Sequence, residues 1–295
     1  MAPTTGPADA DAGVDAGAVA ARIATAGPRA ATDGFPVVFL HGQPGGAEVW
    51  DPVQTLLLGT GVHTVAIDRP GYGGTSVDAG GFRHNAEVLT RVLTTLGGPS
   101  VVVAHSWAAG PALLVARRSP ELVAGLVLIA PVGDPRSVTL LDRWLARGRF
   151  GRLLLRAGLA VGGWLVQRPG GEHLLHATGI GHLGPPDARS AARPALDRRA
   201  RRAAAVEQLA LVEELVEVGR AARHVRVPTV VLGGTHDGVV RPAAVKGLAR
   251  AIPRARLRML DGSHLLPMEH PGAVADTVLG MVAVVRGRQL TTLGA

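Results

Sequence analysis

The chain has no cysteine among its 295 residues, which excludes disulfides, thiolate metal sites and a cysteine nucleophile. Aromatic residues are almost as scarce, at 3%. A surface that stacks nucleic-acid bases interleaves aromatics with basic residues, and no such interleaving is present. Lysine is represented by Lys246 alone, so thirty of the 31 basic residues are arginine. Combined with abundant Ala, Gly and Val, the formal charge of +8 reads as a GC-rich coding bias, and no nucleic-acid partner is expected. The imbalance is local. Between Pro135 and Ala222, 14 Arg face 8 Asp plus Glu, a weak pointer to an acidic substrate or an anionic surface.

Long apolar runs are also missing. A membrane span needs about 18 consecutive apolar residues; the nearest candidate, Leu153 to Val166, is shorter and contains Arg156. No membrane span is therefore expected. Residues 1–17 are rich in Ala, Gly, Pro and Asp and lack the basic start and apolar core of a secretory signal. They read as a disordered tail, and the location expected is cytoplasmic.

Four segments carry chemistry. Val101-Val102-Val103 leads into Ala104-His105-Ser106-Trp107-Ala108, and a small-residue helix follows. Strand, sharp turn and helix together would lift the Ser106 hydroxyl above a sheet edge, over a helix N-terminus that favours negative charge. Such a turn needs small residues two before and two after the serine, and both are alanine here. Downstream, Val227 to Leu232 reads as a buried strand whose loop presents Asp237. Arg256 to Leu260 reads as a further strand, delivering Asp261-Gly262-Ser263-His264. Serine is a weak nucleophile. An imidazole must take its proton, and a carboxylate must fix that imidazole's tautomer and stabilise its charged form. Upstream, Pro36 to Leu40 is a short strand ending in His41-Gly42-Gln43-Pro44-Gly45-Gly46.

With three of these in the order Ser, Asp, His and the His41-Gly42 turn upstream, the chain resembles the α/β-hydrolase superfamily, in the branch with an inserted cap. The resemblance runs from about Ile23 to Val285, apart from the cap, and includes Asp68-Arg69-Pro70-Gly71-Tyr72-Gly73-Gly74-Thr75. It implies Ser106 as nucleophile, His264 as general base and Asp237 as the orienting acid. It also implies the backbone N–H groups of Gln43 and Trp107 as oxyanion donors, with no cofactor and no metal. Some relatives carry the acid after the earlier strand, where Asp134 stands; Asp134-Pro135 also suits a helix cap. His41, His105 and His236 read as orienting or incidental.

The implied fold is α/β: a doubly wound, mostly parallel sheet with a helical cap inserted before the acid-bearing strand. The expected division is a first core part over residues 18–134, a cap over 135–223 and a second core part over 224–295. Within the cap, Thr139 to Ala146 and Arg152 to Val166 read as helices, and Pro169 to Pro194 as loop. Ala204 to Val218 places Val206, Leu209, Val212 and Val216 on one helical face, with Glu207, Glu213, Glu214 and Glu217 as a solvated face. The arginines at that helix's start, and the glutamates further along, oppose the helix dipole.

The function expected is cleavage of a small, apolar carboxylic ester through an acyl-enzyme. Rivals are a proline iminopeptidase-like aminopeptidase, suggested by the Ser106-Trp107 pair and dependent on acidic cap residues, and a perhydrolase or carbon–carbon bond hydrolase. Outside catalysis stands a ligand-binding receptor of the same fold. Substrate identity and oligomeric state are not legible.

Overall fold

The structure is a computed structural model that describes residues 21–25 and 35–293; the expected tail over residues 1–17 lies outside them. The elements run β1 (Ala21–Thr25), β2 (Val37–Leu40), α1 (Asp51–Leu57), β3 (His63–Ile67), α2 (Phe82–Thr95), β4 (Ser100–His105), α3 (Ala109–Arg118) and β5 (Val123–Ile129). Six helices follow: α4 (Leu140–Ala146), α5 (Gly148–Val166), α6 (Glu172–Ala177), α7 (Pro185–Leu196), α8 (Arg198–Glu213) and α9 (Leu215–Ala222). The alternation then resumes with β6 (Thr229–Gly234), α10 (Pro242–Ala251), β7 (Ala255–Leu260), α11 (Leu266–Glu269) and α12 (Pro271–Leu293).

Among the described residues the strands form one seven-stranded sheet in the order β1-β3-β2-β4-β5-β6-β7. β1 pairs antiparallel with β3, and the remaining pairs are parallel. A parallel sheet is covered on both faces, so its strands are apolar throughout. Here the two faces separate residue by residue. Val38, Leu40, Val102 and Ala104 join the core under α2, α3, α9 and α10. Val37, Phe39, Val101 and Val103 join the one under α1 and α12. From β2 the chain crosses to β3 on one side, and β4 leads to β5 on the other. β2 and β4 are nevertheless neighbours, and ligands of open α/β sheets bind at the carboxyl ends of strands flanking such a switch.

Three readings of the helical segment need correction. Pro169 to Pro194 is not loop: it holds α6 and most of α7, whose start is set by Pro185 and Pro186 in its first turn. The Ala204 to Val218 stretch is two helices with the break at Glu214. Its buried side is also different. Val206 and Val216 are exposed, while Ala200, Ala203, Ala204 and Glu207 are buried. Small side chains let α8 approach the loops after β2 and β3 closely, Ala203 beside Gly71 and the Ala204 carbonyl on the Gln43 amide, and Glu207 is buried because it meets a cation there. The charge order against the helix dipole has a tertiary cause. Glu217 pairs with Arg83 and Arg118, Glu214 accepts the Arg83 N–H, and Arg199 donates to the carbonyls of Gly73 and Thr75. Asp197 caps α8 through the N–H groups of Arg199 and Ala200.

Among the described residues no helix is long and apolar enough to cross a membrane.

Candidate active site

Ser106 closes β4 and opens a 3-10 turn, Ser106–Ala108, that runs into α3. Its φ of 54° is left-handed, a conformation that costs a residue with a Cβ about 1–3 kcal/mol. The surroundings enforce it. Ala104 and Ala108 are fully buried, and a Cβ on Gly42 would come within 3.1 Å of the Ser106 Cβ and 2.9 Å of His105 Nδ1. The His41-Gly42 turn therefore packs directly on the serine turn.

The imidazole of His264 lies on the other side. Its Nε2 is 2.9 Å from Ser106 Oγ, and its Nδ1 is 2.8 Å from Asp237 Oδ2. With Nδ1–H donating to the carboxylate, Nε2 is the acceptor for the serine hydroxyl. Asp237 is held by its other oxygen, which accepts the N–H groups of Val239 and Val240, both at 2.8 Å. All three side chains are at least nine-tenths buried. Asp134 is occupied elsewhere, accepting the Arg136 N–H at 2.8 Å as a helix cap.

Gln43 and Trp107 flank the serine, from the β2 turn and from the serine turn itself. The first N–H groups of a helix lack intrahelical partners, which suits Trp107 at the second position of its 3-10 turn. Its indole stacks on Phe82 at 4.3 Å and donates to the Glu207 carbonyl at 3.3 Å. The Gln43 amide side chain donates to the Ala204 carbonyl on α8 at 2.6 Å.

Beneath the turn sits a buried ionic cluster. The Arg69 guanidinium pairs with Glu207, donates to the carbonyls of His41 at 2.7 Å and Gly42 at 2.8 Å, and lies between the rings of Trp107 and Tyr72. The chain's single tyrosine, Tyr72, donates to the same carboxylate at 2.6 Å. Burial pulls the Arg69 pKa down, but Glu207 and Tyr72 more than reverse that and hold it charged.

An apolar cavity of about 630 Å³ opens beside His264. Its floor includes Gly42, Gln43, His105 and His264. Its walls come from α5 and α7, through Leu155, Leu159, Ala192 and Ala195. The serine turn, the histidine and the cavity thus share the carboxyl end of the β2/β4 junction.

The alpha/beta hydrolase family pattern matches residues 37–277. The chain belongs to that family. It is 38% identical over 112 residues to a non-heme chloroperoxidase of Streptomyces lividans, covering 36% of this chain and 39% of that protein. It is 36% identical over 121 residues to an esterase of Mycobacterium tuberculosis, covering 39% of this chain and 37% of that one. The matched stretch spans about two fifths of the length of each of these two relatives. Among solved structures, a thermophilic esterase from Thermogutta terrifontis superposes with a TM-score of 0.68 at 20% identity, over 90% of this chain and 93% of that one.

Two further histidines of this alpha/beta hydrolase are built into the site as neutral groups. His41 Nδ1 donates to the Gly42 carbonyl, leaving Nε2 to accept the Arg69 N–H at 3.0 Å. His105 Nε2 donates to the His264 carbonyl at 3.0 Å. Burial, reinforced by Arg69, takes His41 well below the ordinary histidine range. Burial, then the neighbouring His264, lowers His105 to about 3. His236, by contrast, is exposed beside Asp261. A histidine whose folded pKa is depressed takes up its proton first in the unfolded chain. Stability is therefore expected to be full above about pH 6.5 and to fall as pH drops toward 3, by about 1.4 kcal/mol per unit for each such group. Denaturant unfolding at stepped pH measures this slope, and His105→Gln should flatten it; an unchanged slope in that variant would refute the assignment.

Sequence reasoning missed how the helical segment is fastened to the acid and histidine loops. The Gly179 carbonyl accepts N–H groups from both Gly238, at 3.1 Å, and His264, at 3.3 Å. Gly179 itself has φ +64°, and a Cβ on Gly238 would stand 2.0 Å from the Thr178 carbonyl. Gly238→Ala is thus expected to push this turn off the loop that carries Asp237, lowering turnover at least tenfold. Parallel melting curves would show a loss of about 1–3 kcal/mol.

Proposed function

We propose that this chain is a serine hydrolase that cleaves apolar carboxylic esters through an acyl-enzyme. Ser106 Oγ attacks the carbonyl carbon while His264 Nε2 takes the hydroxyl proton. The backbone N–H groups of Gln43 and Trp107 hold the oxygen that becomes negative. Collapse of the tetrahedral intermediate expels the alcohol, which receives the proton from His264. Water then repeats the sequence and frees the acid. Asp237 keeps Nδ1 protonated throughout and stabilises the imidazolium. Residues 135–223 act as a cap that forms the far wall of the acyl cavity, and residues 18–134 and 224–295 as the core beneath it.

The observation that carries this reading is the unbroken series Asp237 Oδ2, His264, Ser106 Oγ, with steps of 2.8 and 2.9 Å, ending beside an apolar cavity. A fluorophosphonate probe reacts with a serine hydroxyl only where a base and an oxyanion site activate it. Labelling is expected at Ser106, found by peptide mapping; absence of labelling, or labelling at another serine, overturns the reading.

The aminopeptidase alternative depends on cap glutamates, and none of them lines the cavity; the carboxylate among the cavity's lining residues is Glu48, from the segment after β2. Of the four cap glutamates, Glu207 pairs with Arg69, Glu214 and Glu217 are engaged with Arg83 and Arg118, and Glu213 is exposed to solvent. Perhydrolysis keeps one supporting observation, the chloroperoxidase name of a relative. Hydrogen peroxide would replace water at the acyl-enzyme, and peroxide-dependent halogenation would detect it.

A further inference from the structure

Helix α5 is apolar on two sides. One side, through Leu155, Leu159 and Val166, lines the cavity. The other side faces solvent: Phe150, Leu153, Ala157, Val161 and Trp164 follow one another at intervals of three and four residues, which is one stripe of a helix. Phe150 is 66% exposed, Val161 56% and Trp164 51%; Trp144 on the neighbouring α4 is 47% exposed. The chain has only nine aromatic residues, and three of them stand in water on this one helix pair. The Trp144 and Phe150 rings meet edge to face at 6.5 Å, so the two helices present one continuous patch.

The charge around that patch is mainly positive: the one carboxylate on the two helices, Asp142, is half-buried and accepts from Thr139 and the Gln208 amide. From Arg143 to Gly171 there are six arginines (Arg143, Arg147, Arg149, Arg152, Arg156 and Arg168) and no acidic residue. Arg143, Arg147, Arg149 and Arg168 are exposed, and Arg168 lies over the Trp164 ring at 4.1 Å. A second copy docked on this face about a two-fold axis would set arginines against arginines with no free carboxylate between them. Apolar and aromatic side chains in a stripe with arginine flanks are instead the composition of a helix that lies in a membrane interface, its rings among the acyl chains and its cations on the headgroups.

We propose that the outer face of α4 and α5 docks this chain on an anionic phospholipid bilayer surface, without spanning it. The same helix then separates the bilayer from the apolar cavity, so that a lipid-dissolved substrate meets the cavity wall where it leaves the membrane.

The test uses the full chain with vesicles of equal parts phosphatidylglycerol and phosphatidylcholine. Co-sedimentation and a blue shift of tryptophan emission are expected with these and not with phosphatidylcholine alone, and raising the salt should weaken binding. Trp164→Glu should reduce affinity at least tenfold. Arg147→Gln with Arg149→Gln should reduce it roughly 25-fold, about fivefold per arginine near an anionic surface. None of these residues lines the cavity, so turnover of a soluble short-chain ester should stay at the wild-type value. That control reads folding and the hydrolase reading separately from docking. The proposal is overturned if the wild-type chain ignores the anionic vesicles, or if both variant sets bind like wild type. It is also overturned if sedimentation velocity shows that the face joins two copies and Trp164→Glu merely separates them.

Discussion

Ser106→Ala is expected to lower ester turnover by about 10,000-fold or more while leaving the fold and the cavity in place. The hydroxyl is the only atom removed, and alanine already occupies positions 104 and 108 of the same turn, so the strained backbone has no new group to accommodate. What remains should be the modest acceleration that substrate binding and two oxyanion donors give to attack by water. His264→Ala should cost a similar factor, because in the proposed mechanism His264 takes the serine's proton. The decisive result is the double variant. Groups that act as one unit are strongly non-additive, so Ser106→Ala with His264→Ala should be no slower than either alone. Steady-state assays with short p-nitrophenyl esters, on protein with wild-type melting behaviour, give both numbers. Turnover surviving in Ser106→Ala would remove the nucleophile assignment; multiplicative losses in the double variant would mean that the 2.9 Å contact between the two side chains has no part in the chemistry.

How much of this was legible in the sequence follows from the range of the forces involved. The strands and the serine turn are written in local pattern: β-branched runs, small residues flanking Ser106 and a turn directly after each strand. Local pattern also located Asp237 and His264, each in the loop that ends a strand, although only tertiary structure brings them within hydrogen-bonding distance of each other. The helical segment resisted for the opposite reason. Pro185 and Pro186 look like loop residues, yet proline is favoured in a helix's first turn, where no N–H is needed. Glu207 falls among four glutamates that look like a solvated face, and its burial depends on a cation 138 residues away. Periodicity describes what a helix would do alone. Arg69 and the small-residue face of α8 decide what it does against the loops after β2 and β3.

Removing that glutamate should have the largest effect on stability. Arg69 and Glu207 are both almost completely buried, and a buried pair contributes little net stability while intact but leaves an uncompensated charge when broken. Glu207→Ala is therefore expected to cost about 3–5 kcal/mol, a fall in Tm of roughly 10 °C for a chain of this size. The double variant Arg69→Met with Glu207→Leu removes both charges and should recover most of that loss, since apolar replacements for a buried ion pair are often neutral or better. Its activity should not recover. The guanidinium also donates to the His41 and Gly42 carbonyls, which orient the peptide next to the Gln43 N–H. Without it the turn loses two of its anchors on the side proposed to hold the developing oxyanion. The double variant should thus be stable, with kcat reduced about 100-fold and KM little changed, the signature of an interaction made only in the transition state. A stable double variant with full kcat would reduce Arg69 to a tie between α8 and the sheet. A rise in KM with kcat intact would place its influence on the cavity instead.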